Sequence, residues 1–204
     1  MNESSLRALS EPFEGYRFAA LDLGSGPCPA PGYVGVDLCA EDPKRAVIEF
    51  DLFSGARWPF ADESVERLRC CHVIEHIPHE RVGPRRQDSF FWFFDEAYRI
   101  SKPGCRFELR WPHPWHDFAD QDPTHCRRIP AATLDYLSRA GRRALRVEQY
   151  PVSCNWVVEP GSVEELASAE ALEPFRHADG SFDLLAAKRS VGVFHEITAV
   201  LIKT

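Results

Sequence analysis

The sequence predicts an α/β fold: a doubly wound, mostly parallel seven-stranded sheet with reduced helices on one face. Three observations carry this. Residues 18–38 hold two apolar runs, ending in Asp22 and Asp37, joined by a loop containing Gly24 and Gly26. Further apolar runs follow at strand-like intervals, the last at 193–203. The stretch 85–101 sets Phe90, Phe91, Phe93, Phe94, Ala97 and Ile100 at helical spacing.

Taken in order, residues 4–9 suit a short helix. A first strand covers 17–23 and a second 33–38. Pro27, Pro29 and Pro31 forbid a regular helix between them. The loop 24–32 reaches ~30 Å when extended, enough to return along a strand of ~17–20 Å. A parallel pair with an irregular return and a simple hairpin both stay open. Strand, glycine turn and a second strand tipped by a carboxylate describe a nucleotide-type site at the C-terminal edge of a sheet. There glycine lets backbone approach a ligand, and the carboxylate takes ribose hydroxyls.

A third run, 47–52, follows too soon after the second for a helical crossover. The fourth strand, 65–73, alternates Leu68, Cys70 and His72 with Arg67, Arg69 and Cys71. The fifth alternates Phe107, Leu109 and Trp111 with Arg106, Glu108 and Arg110. Strands buried on both faces read as continuous apolar runs, so alternation implies one polar face. The sheet is expected to be thinly covered there, by the N-terminal helix, by residues 155–190 or by a second copy in a homodimer.

The helix 85–101 is expected to turn Asp88, Asp95, Glu96 and Arg99 away from the core and to stop at Lys102-Pro103-Gly104. A loop rich in His, Asp and Trp covers 111–130. A helix at 131–140 closes at Gly141, and a sixth strand is expected at 144–152. Ser162 and Glu165 read as a capping box opening a helix to Leu172, and residues 182–188 as a further short helix. The whole reads as one domain, 1–204, with 155–190 a helical insertion between the last two strands.

Composition narrows the function. A chain of 204 residues with 44% hydrophobic content builds a sizeable core. A formal net charge of −7 argues against binding a phosphate backbone. Seven cysteines, an odd number without a C-x-x-C pair, fit reduced thiols in the cytoplasm better than a disulfide scaffold or zinc ribbon. No apolar run has the length of a signal-peptide core near the N-terminus or of a membrane span elsewhere. The expected partner is a small molecule rather than a membrane or nucleic acid.

Seven segments then fall in a telling order: LDLGSGP at 21–27, GVDL at 35–38, DL at 51–52, PFADESVE at 59–66, CHVIEHI at 71–77, EAYRISKPG at 96–104 and WPHP at 111–114. Together they resemble the class I S-adenosylmethionine-dependent methyltransferases, with a Rossmann-like sheet. More narrowly, they resemble the small bacterial type-11-like group with a shortened nucleotide-binding half. The resemblance implies S-adenosylmethionine as cofactor. It implies that Asp22, Gly24 and Gly26 hold its methionine part, and that Asp37 takes the ribose hydroxyls. Leu38 and Leu52 would sandwich the adenine, Asp51 would lie near its amino group, and Cys71 and His72 beside the sulfonium. Cys28, the missing first helix and Glu66 depart from the family pattern.

Methyl transfer from a sulfonium is an in-line displacement, so alignment of acceptor and methyl group matters most. A base is needed only where the acceptor loses a proton. His76 is the candidate base, and His113 the candidate from the loop expected to line the acceptor pocket. Trp111 and Trp115 read equally as acceptor-stacking or as core residues. The expected acceptor is a small molecule or sugar intermediate. Two other readings stay open: a non-catalytic cofactor-binding protein of the same fold, and a metal-dependent enzyme using His113, His116 and His125.

Overall fold

The computed structural model describes residues 18–38 and 47–204. The helix expected at 4–9 lies outside them. The described chain opens with four strands, β1 (Ala20–Leu23), β2 (Val34–Asp37), β3 (Val47–Glu49) and β4 (Val65–Cys71). A small hairpin, β5 (Arg81–Val82) and β6 (Gln87–Asp88), leads into helix α1 (Ser89–Ile100) and the long strand β7 (Ser101–Pro112). Then come α2 (Phe118–Gln121), α3 (Arg139–Ala144), β8 (Trp156–Val158), β9 (Glu164–Ala167), α4 (Ala169–Leu172), α5 (Leu184–Lys188) and β10 (Phe194–Lys203).

Among the described residues one sheet runs in the order β3-β2-β1-β4-β7-β10, and β8 and β9 share the far edge of β10. The pairs β1–β2, β2–β3, β1–β4 and β4–β7 are parallel, while β10 is antiparallel to its neighbours. The order reverses between β1 and β4, the crevice where doubly wound sheets bind ligands.

The parallel pairing of β1 and β2 rules out the hairpin. No helix makes the return; hydrogen bonds hold it instead. Asp22 accepts the Ala30 amide at 2.9 Å, Asp37 accepts the Gly26 amide at 2.7 Å, and the Gly24 amide donates to the Val36 carbonyl at 2.8 Å.

The core lies on one side of the sheet. Asp88 caps α1 by accepting the Phe90 amide. Phe93 meets Trp58 edge-on with centroids 5.2 Å apart, and Phe94 and Trp156 both meet Phe107. A twelve-residue helix is marginal alone. Each buried aromatic is worth ~3–5 kcal/mol against truncation, so this packing decides the helix. On the opposite side of β7, Arg106, Glu108 and Arg110 stay exposed, with Arg106 paired to Glu159 and Arg110 to Glu196. That is the thinly covered, polar face the alternation implies.

Four local expectations are corrected. Asp95 and Glu96 do not face away from the core: both are buried, Glu96 accepting the Trp58 amide and Asp95 the amides of Ser153 and Cys154. That anchoring displaces the sixth strand. Residues 144–152 are not extended in the sheet, and the edge strand begins at Trp156, whose indole donates to the Phe94 carbonyl. The region 131–144 is a 3-10 segment, Ala131–Leu137, followed by α3. Gly141 lies inside α3, where a Cβ would overlap the Asp135 carbonyl. Finally, Ser162 and Glu165 open no helix. Ser162 Oγ bridges the backbone of Val200, and residues 164–167 form β9; the helix starts after Ser168, which caps it.

Candidate functional site

The C-terminal ends of β1, β2, β3 and β4 converge on a cavity of about 280 Å³. It is lined by Gly24, Asp37, Leu38, Phe50, Asp51, Leu52, Phe53, His72, Val73 and His76. Seven of the residues predicted from the sequence meet here, from four separate stretches of chain. Phe50, Phe53 and Val73 had no distinguishing sequence signal, because an aromatic or aliphatic residue after a strand reads as core.

Backbone conformation shapes the floor. Gly24 has φ +67, and a Cβ there would collide with Val73. Gly26 has φ +58. Both lie in the left-handed region that glycine enters at little cost. Gly26 does not line the cavity; its amide anchors Asp37. Asp51 accepts the amide of Phe53 at 2.8 Å, closing its own turn. Leu38 is exposed while Leu52 is buried, so the two present an outer and an inner apolar surface to the same space.

Asp22 stands behind the cavity rather than in it. Its carboxylate is 1% exposed and takes both Arg69, at 2.9 Å from each oxygen, and the Ala30 amide. It ties β1, β4 and the return loop together. Cys71 points to the other side of the sheet, into a groove with Arg69, Glu108 and Arg110. Burial pushes its thiol pKa up, which disfavours the thiolate.

His72 marks the rim. It holds φ +55, rare for a non-glycine residue and a conformation that costs of order 1–3 kcal/mol. Its amide donates to the Arg110 carbonyl. Its ring lies between two carboxylates: Nδ1 is 3.3 Å from Glu75 Oε1, and Nε2 is 2.8 Å from Glu196 Oε1. Glu75 foremost, with Glu196, raises its pKa above the ordinary imidazole value against the opposing effect of burial. Glu196 is in turn held by Arg110; burial raises its pKa, but Arg110 and His72 bring it below the usual carboxylate value. His72 also lines a second, open cleft of about 610 Å³ with Phe118, Gln121, Asp122, His125 and Glu196. Cavity and cleft therefore meet at His72.

His76 lies on the cavity wall, its Nδ1 3.0 Å from Thr124 Oγ1. His113 lines neither space. It sits against Phe194, 3.9 Å from Glu165, with burial lowering its pKa. His113, His116 and His125 do not assemble into a ligand set: among the described residues, the only potential metal ligands that converge are Glu75, His76 and His125. Trp111 is wholly buried and donates to the Ile129 carbonyl at 2.6 Å, so it is a core residue, whereas Trp115 is exposed.

No protein-family model matches the chain, and no curated protein matches it. Solved structures do. A SAM-dependent methyltransferase from Archaeoglobus fulgidus aligns over 98% of this chain and 92% of its own, with TM-score 0.61 and 16% identity. The YcgJ protein from Bacillus subtilis aligns over 92% of each chain, with TM-score 0.52 and 16% identity. The cyclase SpnF aligns over 92% of this chain and 74% of its own, with TM-score 0.51 and 15% identity. The chain has the class I S-adenosylmethionine-dependent methyltransferase fold. A cyclase among these structures shows that the fold alone does not dictate the reaction.

Proposed function

We propose that this chain, built on the class I fold, binds S-adenosylmethionine and transfers its methyl group to a small-molecule or sugar-like acceptor. One observation carries the reading: Gly24, Asp37, Leu38, Asp51, Leu52, His72 and His76 converge on one cavity at the strand ends beside the switch point. Asp37 takes the ribose hydroxyls, Leu38 and Leu52 flank the adenine, and Gly24 lets the methionine part lie against backbone. The acceptor enters through the cleft that shares His72 with the cavity. The chain's work is alignment of the two reactants. Among the described residues no helix is long and apolar enough to cross a membrane.

Calorimetry with S-adenosylmethionine and S-adenosylhomocysteine tests the reading, with labelled-methyl transfer into cell-extract metabolites as its second arm. Binding of both ligands and transfer of label are expected. Wild-type protein that binds neither ligand sinks the proposal. Binding without transfer to any acceptor favours a non-catalytic cofactor-binding protein.

A further inference from the structure

The CHVIEH segment and the loop 122–126 place three potential metal ligands together. One ligating atom each of Glu75, His76 and His125 lies within 4.8 Å of the other two. The two rings meet edge to face with centroids 4.6 Å apart, and His125 Nε2 is 3.9 Å from Glu75 Oε1. We propose that these residues form a binding site for a divalent first-row transition ion.

The hydrogen bonds prepare both rings for a metal. His125 Nδ1 is 3.1 Å from the Ala119 carbonyl, which can only accept, so Nδ1 carries the proton and Nε2 offers a lone pair. His76 is set by a longer chain. Thr124 donates its hydroxyl proton to Asp122 at 2.7 Å. The same hydroxyl oxygen, 3.0 Å from His76 Nδ1, is left to accept, so the proton sits on Nδ1 and His76 Nε2 is bare. The Thr124 amide also donates to Asp122, at 2.8 Å, so that carboxylate fixes the hydroxyl as a donor. A ligating histidine whose second nitrogen donates to a carbonyl or to a carboxylate-backed group is the usual outer shell of a metal site.

Glu75 supplies the independent observation. It is 2% exposed; the His72 ring stands 3.3 Å from its Oε1, and its Oε2 has no hydrogen-bond partner among the described residues. Its backbone carbonyl is satisfied by the amides of Cys126 and Arg127, which locks the loop bearing His125 against it. His72 meets one oxygen only; a buried carboxylate oxygen left without a donor is costly, and a cation between Glu75 and the two imidazoles lowers that cost. Two nitrogens and one oxygen suit Mn²⁺, Fe²⁺, Co²⁺ or Zn²⁺ better than Mg²⁺, and a three-residue set leaves coordination positions open. His76 lines the cavity and His125 lines the cleft, so the ion would stand at the boundary between the two spaces.

The test uses the 204-residue chain stripped of metal, titrated calorimetrically with Zn²⁺ and with Mn²⁺, beside elemental analysis of untagged protein. One ion per chain is expected. His76→Gln and His125→Gln should abolish that binding event, and Thr124→Val should weaken it by about 10–100-fold by freeing the His76 ring. His116→Ala should leave it unchanged. Glu75→Gln is read only if its melting curve stays cooperative; the histidine variants carry the test otherwise. Absence of a stoichiometric ion in wild type, or binding indifferent to both His76→Gln and His125→Gln, overturns the site. Metal titration involves no methyl donor, so its outcome is separate from donor binding.

Discussion

Asp37, at the tip of β2, accepts the amide of Gly26 across the mouth of the return loop at 2.7 Å. The residue proposed to take the ribose hydroxyls thus also holds the glycine loop closed. These two tasks separate by substitution. Asn keeps an acceptor for the amide but loses the charge, and Ala loses both. Asp37→Asn should melt close to wild type yet bind S-adenosylhomocysteine about 10–100-fold more weakly, the equivalent of a charged hydrogen bond of ~1.5–3 kcal/mol. Asp37→Ala should lose melting temperature as well. Wild-type affinity in Asp37→Asn, read by calorimetry, would remove Asp37 from the ligand contact.

Gly24 and Val73 are in contact from opposite sides of the switch point. Alanine at 24 meets two penalties: ~1–2 kcal/mol for a left-handed backbone and ~1–3 kcal/mol for overpacking against Val73. Gly24→Ala should therefore destabilise by about 2–5 kcal/mol in urea unfolding. Pairing it with Val73→Ala should recover the steric part only. The double variant should be at least ~1 kcal/mol more stable than the two single losses added together. Strict additivity would show that the contact is not tight.

Arg69 is the cation for Asp22, and the pair is unequally buried, 33% exposed for Arg69 against 1% for Asp22. Removing one partner of a buried pair costs ~3–5 kcal/mol, and solvent around Arg69 places this one at or below the lower end. Arg69→Ala should be clearly less stable at neutral pH by chemical denaturation, and Arg69→Lys should recover part of the loss. A neutral effect of Arg69→Ala would mean that the Ala30 amide alone satisfies Asp22.

The parallel sheet and α1 were legible because their signals are local and periodic. Apolar runs tipped by Asp22 and Asp37, the alternation in β4 and β7, and the Phe90–Ile100 stripe each follow from which face a side chain must bury. The same logic failed at 144–152 and at Ser162. There the competing forces were long-range hydrogen bonds: Asp95 to the amides of Ser153 and Cys154, and Ser162 to the backbone of Val200. A propensity or a capping pattern carries no trace of a partner dozens of residues away. Asp95 and Glu96 were misjudged for the same reason, since a carboxylate reads as exposed until its buried donors are known.

The sequence by itself determined the layered α/β class, the strand that carries each carboxylate, and the ordered segments that resemble a methyl-donor site. Those properties depend on residue type at short spacing. Only the tertiary structure decided that Asp22 braces the loop from behind while Asp37 faces the cavity. It alone put Cys71 on the far side of the sheet, left His113 outside both spaces, and set His125 beside Glu75 and His76. The physical reason is shared: a side chain's chemistry is written in the sequence, but its role depends on which buried donors and acceptors the folded backbone brings within about 3–4 Å.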